Sequence, residues 1–145
     1  MVFLGIGLAV VTAIGIVYYV LNVVGGWKVF EKAGEAGWKS IVPFYNGYVE
    51  LKFTWKTWVF WVIVALSLVS GYLGTIENPS TLVAIISIIV GIALIVFEWM
   101  ACDKLAKAFG RGVGFTIGLV FLKPLFTIIL GFGPAEYIGN STLQE

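Results

Sequence analysis

The chain has 145 residues, of which 60% are hydrophobic and 12% charged, and its net charge is +1; mean hydropathy is +1.02. A soluble domain needs far more polar surface to cover its core, and basic residues are too few for a nucleic-acid module. With no histidine and one cysteine, Cys102, an internal disulfide is excluded and the usual ligands for zinc, haem or an iron–sulfur cluster are missing, so no metal or cofactor is expected.

Four apolar runs occur in chain order, at 2–25, 57–74, 82–101 and 113–132. Each is near the roughly 20 residues that cross a hydrocarbon core. Backbone groups in lipid must be satisfied within the segment, so each run is predicted to be a transmembrane helix. The first run lacks the basic lead and the small-residue cleavage site of a signal peptide and is read as retained. The expected fold is a single all-α membrane domain of four transmembrane helices.

The polar segment 26–52 lies between the first and second runs. Trp27, Phe30, Ala33 and Gly34 recur at helical spacing, with Lys28, Glu31, Lys32 and Glu35 between them. That pattern predicts a short interfacial amphipathic helix on the cytoplasmic surface, its lysines available to anionic headgroups. Pro43 disfavours helix at Val42, and the stretch Pro43 to Gly47 reads as a turn. A re-entrant loop sheltered by protein is the alternative.

Lysine and arginine set the expected orientation. Lys28, Lys32, Lys39, Lys52 and Lys56 lie between runs one and two, and Lys104, Lys107 and Arg111 between runs three and four. The segment 75–81 and the tail 133–145 carry none. The positive-inside rule therefore places both basic loops in the cytoplasm and both termini outside, in a multi-pass protein of the inner (plasma) membrane. All six tryptophans gather at that same inner boundary, where indole favours the headgroup zone.

Small residues recur four apart: Gly5, Ala9 and Ala13; Ser67 and Gly71; Ser87 and Gly91; Gly110, Gly114 and Gly118. Such stripes let helix backbones approach, either inside the bundle or against another membrane protein or a second copy. Two charged residues fall within the runs. Lys123 lies mid-run directly before Pro124, and Glu98 lies one turn inside the end of run three. A mid-membrane lysine is costly and by default marks function or a partner. It reads either as a proton or anion site with Glu98 as counter-ion, or as a lysine snorkelling to water beside a proline kink. Cys102 reads as an inert small hydrophobe or an interfacial acylation site, and Asp103, Lys104 and Lys107 as a solvated face.

The stretch from Phe30 to Asn46, with "KLAKAFGRGVGFTIGLVFL" and "LGFGPAEYIG" further on, resembles an uncharacterised family of small bacterial and archaeal membrane proteins, catalogued as a domain of unknown function. The resemblance rests on Lys32, Ala33, Gly34, Gly37, Trp38, Pro43, Tyr45 and Asn46, then Phe109, Gly110, Gly112 and Phe115; Lys123 is not part of it. Members of that family are often labelled signal peptidase I. Such a peptidase needs a serine activated by a neutral lysine, and the segments expected outside contain no lysine.

No catalytic constellation emerges from the sequence. The favoured expectation is a non-catalytic structural or accessory membrane protein acting through helix packing and an aromatic cytoplasmic platform, as a subunit of a larger complex or a homo-oligomer. The alternative is a small oligomeric transporter or channel using Lys123 and the Pro124 kink. A lipid-level enzyme using Glu98, Asp103 and Lys123 is the third.

Overall fold

A computed structural model describes residues 1–140. The architecture is all-helical, with six α-helices: α1 (Val2–Lys32), α2 (Tyr45–Thr54), α3 (Thr57–Gly74), α4 (Thr81–Ala108), α5 (Val113–Phe121) and α6 (Lys123–Phe132). Among the described residues three helices, α1, α3 and α4, are long and apolar enough to cross a membrane, not the expected four.

The fourth run is the one that fails. It is split at Leu122, whose backbone leaves the helical region (φ −132°, ψ 52°). Pro124 cannot donate the helical bond to Val120 and its ring crowds that carbonyl, so it is tolerated only in a first turn. Pro124 accordingly lies in the first turn of α6. The two halves form a hairpin and not a kinked span. Phe115 of α5 packs edge-on against Phe126 of α6, ring centroids 5.1 Å apart, and the same Phe126 ring fills the space above Gly118. Helices of nine and ten residues reach only about 14–15 Å each, half of a hydrocarbon core.

The segment 26–52 also departs from expectation. Residues 27–32 are not a separate in-plane helix but the end of α1, which runs through Gly25 and Gly26 unbroken. Tertiary contact overrides the low helix propensity of the glycine pair: α6 lies against Gly25 and Ser40 against Gly26. The helix ends at Gly34 (φ 81°). There Glu35 N–H donates to Phe30 O and Gly34 N–H to Glu31 O, a Schellman motif that requires a residue in the left-handed region. Gly110 (φ 71°) closes α4 in the same way, with Arg111 N–H donating to Ala106 O and Gly110 N–H to Lys107 O.

From Gly34 the chain doubles back along α1. Gly37 sits under the Trp27 indole, Ser40 Oγ donates to Val23 O (3.3 Å), and Tyr19 Oη donates to Ile41 O. Relative to the end of α1 at Lys32 this is a descent of about 20 Å. A turn at Phe44 (φ 65°) starts α2, which climbs back until Phe53 meets Phe30, ring centroids 5.3 Å apart. The chain thus forms two limbs packed together, one descending along α1 after Gly34 and one ascending as α2. Glu35 ties the two limbs together, pairing with Lys39 on the descent and with Lys52 (2.9 Å) near the end of the ascent. Hydrogen bonds from Lys39 and then Lys52 hold its carboxyl below the usual carboxylate range.

The core sits at the end of the bundle that carries the basic residues. Phe30 of α1, Phe53 of α2, Leu105 of α4, Leu119 of α5 and Leu130 of α6 are buried together there. Residues 133–140 are fastened at the same end: Ile138 N–H donates to Ala108 O (2.8 Å), Tyr137 Oη to Phe53 O (2.6 Å) and Asn140 Nδ2 to Lys52 O (3.2 Å). Residue 140 therefore lies with the basic loops, while Met1 lies at the far end of α1, roughly 46 Å along the helix axis. The expectation that both termini lie outside rested on a fourth crossing, and 113–132 is instead two helices, each too short to make one. Residues 141–145 of the tail lie outside the described residues.

The hairpin is held by backbone contact. A Cβ at Gly25 would come within 2.8 Å of Ile128 N, and one at Gly131 within 2.8 Å of Gly25 O. Both contacts are with backbone, which cannot rotate away. Gly131→Leu is expected to push α6 off α1 and lower stability by about 1–3 kcal/mol, read as thermal unfolding in detergent. Gly5→Leu, with nothing within 4 Å, is expected to melt like the wild type; equal melting of the two variants would remove this account of the crossing.

Candidate functional site

The break before Pro124 places Lys123 at the tip of the α5–α6 hairpin, where its side chain meets α2 and α4. Lys123 Nζ lies 3.6 Å from Glu50 Oε1 of α2 and 3.7 Å from Glu98 Oε1 of α4. Its partners are two carboxylates of its own chain. Glu98 also accepts from Cys102 Sγ (3.7 Å), one turn along α4. Cys102 is buried, which places it as a packed hydrophobe and not as an exposed interfacial thiol. Thr127, one turn beyond Lys123, spends its hydroxyl on Lys123 O (2.6 Å).

Glu50, Glu98, Lys123 and Thr127 form the floor of a cavity of about 610 Å³, walled by α1 from Tyr18 to Phe30 and by α3. Tyr18, Asn22, Phe44, Asn46, Phe60 and Ser67 contribute to the lining together with Glu50, Glu98 and Lys123. The wall is aromatic and aliphatic with few polar groups, and its charge is confined to one place.

The other sequence-selected residues have mainly structural positions. Lys32 is the most informative. Its Nζ donates to three carbonyls, Leu130 O (2.7 Å), Gly133 O (2.9 Å) and Ala135 O (2.6 Å). The last carbonyls of a helix lack intrahelical partners and carry the negative end of its dipole. Lys32 therefore caps α6 and fixes the hairpin to α1 along with the Gly25–Gly131 crossing. Asn46 Nδ2 donates to Ser40 O (3.4 Å) and its Oδ1 accepts from Gly47 N (2.6 Å), closing the turn after Pro43. Trp38, Tyr45 and Tyr48 stack in series, ring centroids 6.4 and 6.2 Å apart. Gly114 has nothing within 4 Å, so the Gly110–Gly114–Gly118 stripe is not a continuous contact surface in this chain. Asp103 turns away from Lys123, pairing with Lys107 (2.7 Å) and accepting from Thr116 Oγ1 (3.4 Å). Glu98, Asp103 and Lys123 are thus not gathered as one set.

Glu50 is the residue that sequence reasoning missed. It stands in a segment rich in charge, two positions from Lys52, and so reads as surface. The only signal for it is indirect: a lysine deep in an apolar run calls for more counter-charge than Glu98 alone provides.

Removing the ammonium would leave two carboxylates facing each other across the floor. Lys123→Met is expected to cost about 1–3 kcal/mol, less than for a fully buried pair because Glu98 is half exposed. Adding Glu50→Gln and Glu98→Gln is expected to recover most of the loss in thermal unfolding. A triple variant as unstable as the single one would mean that the lysine acts through its packing and not its charge.

No curated protein and no solved structure matches the chain. One family model does, over residues 38–140, which takes in Trp38, Pro43, Tyr45, Asn46, Gly110 and the whole Glu50–Glu98–Lys123 cluster and begins beyond Lys32, Gly34 and Gly37. The chain belongs to the Family of unknown function (DUF5684).

Proposed function

We propose that this is a small membrane transporter or channel whose working site is the Lys123–Glu50–Glu98 cluster. The observation that carries the reading is the meeting of two half-length elements, α2 and the α5–α6 hairpin, at a set of charges beside a cavity. Half-helices that stop at mid-depth put helix ends and loosened backbone where lipid would not tolerate them, unless they line a polar path. Three apolar helices enclose little by themselves, so the pathway belongs to an oligomer.

In this reading the basic end, including residues 133–140, faces the cytoplasm, and Met1 lies outside. The lysines at that end face anionic headgroups. Cysteines introduced at Ser80 and at Ser141 test the sidedness in intact cells. A membrane-impermeant thiol reagent is expected to label the first and spare the second; the reverse pattern would overturn the orientation.

A second reading, an accessory subunit of a larger complex, is favoured by the leading two-thirds of α1, which is exposed from Met1 to Leu21 and touches little of its own chain. A single experiment separates the two. In proteoliposomes carrying pH- and potential-sensitive dyes, gradients of protons, alkali cations and small organic cations are expected to drive flux through the wild type. Glu98→Gln is expected to abolish it. Silence of the wild type toward all three classes would remove the transport reading and leave the accessory one.

A further inference from the structure

The charges on the cavity floor do not balance. Lys123 is the cation paired with both Glu50 and Glu98, so with all three groups ionised the cluster carries one negative charge in excess. The start of α6 at Lys123 contributes the positive end of a helix dipole, equivalent to about half a charge, which offsets part of that excess and not all of it. The surplus is accessible: the Glu98 side chain is 56% exposed against 22% for Glu50, and both line the cavity.

The chemistry of the lining narrows what could answer that charge. An anion would be repelled. A divalent metal ion seeks about six or more oxygens, and here an ammonium stands between the two carboxylates. An organic cation meets what it needs. Its charged centre would lie against Glu98 and its apolar body against Tyr18, Phe44, Phe60, Val64 and Leu68. Aromatic faces attract cations in their own right. The volume, about 610 Å³, is that of a site for a small organic molecule.

We propose that the cavity binds a hydrophobic organic monocation, with its charge on Glu98 and its body along the wall between α1 and α3. The proposal deepens the transport reading by naming the solute class of the same site.

Tetraphenylphosphonium and its same-shaped anion tetraphenylborate are the probes, applied by equilibrium dialysis to the full chain in nanodiscs, with empty nanodiscs subtracted. The cation is expected to bind saturably and the anion not. Glu98→Gln is expected to weaken cation binding roughly tenfold or more. Ser67→Trp, on an exposed position of α3 away from the ion pairs, fills the opposite wall and is expected to weaken it comparably, so the result does not hang on the folding of the Glu98 variant. Equal binding of both ions, no saturable cation binding, or unchanged affinity in either folded variant overturns the proposal. Flux of an inorganic ion without phosphonium binding would remove this inference and leave transport standing. Charge-selective binding without flux of any kind would do the reverse.

Discussion

An ammonium group set among apolar helices has to find its counter-charges within the chain, and the fold around Lys123 is arranged to supply them. At the first position of α6 the lysine sits at the positive end of a helix dipole, where a cation is disfavoured. One carboxylate would match its charge but not the dipole as well. Two carboxylates, one from α2 and one from α4, cover both terms. Because they come from different elements, the ion pairs also fix where α2 and the hairpin lie relative to α4. A half-exposed arrangement of this kind gains little net stability, so its structural effect is to set the positions of these elements more than to add to their stability.

Half-length helices pose a second problem, since each exposes helix ends that a full span would carry into water. The α5–α6 hairpin solves it at one end with Lys32, whose single ammonium satisfies three carbonyls at and beyond the close of α6. It solves its attachment with two glycines that let the backbones of α1 and α6 touch. In lipid, apolar side chains give helices no reason to prefer one another over the solvent, so close backbone approach and polar ties must do the holding. Both occur at the basic end, beside its apolar core.

How much of this is legible in the sequence depends on what each signal measures. Hydropathy locates three of the helices, because α1, α3 and α4 are continuous and apolar over a length that would cross a membrane. It misjudges 113–132 because mean composition does not register a broken backbone. The Lys123–Pro124 pair marks the place but reads as a kink, when a proline in the first turn of a new helix also permits reversal. Glu98 and Lys123 are recognisable as a pair by depth. Glu50 is not, since its neighbours in sequence are surface residues and its partner lies on an element far along the chain. Small-residue spacing points to Gly5, Gly71, Gly91 and Gly114, which have nothing within 4 Å, and overlooks Gly25 and Gly131. Spacing along one helix cannot tell where a second helix crosses it. The motif residues fare better: Gly34 and Gly110 are C-cap positions, a local requirement that the sequence does encode.

The asymmetry between the two ends of the molecule bears on how such a site could work. At the basic end five of the six helices are packed into one core, whereas the leading turns of α1 and the far parts of α3 and α4 are exposed. The cavity lies at the boundary between them. The α1 residues that line it are fastened, Tyr19 to Ile41, Val23 to Ser40 and Gly26 beside the Gly25 crossing with α6, so this wall and the carboxylates belong to the same packed end. The hairpin is held by backbone contact, and the leading turns of α1 are the length that its own chain leaves uncovered.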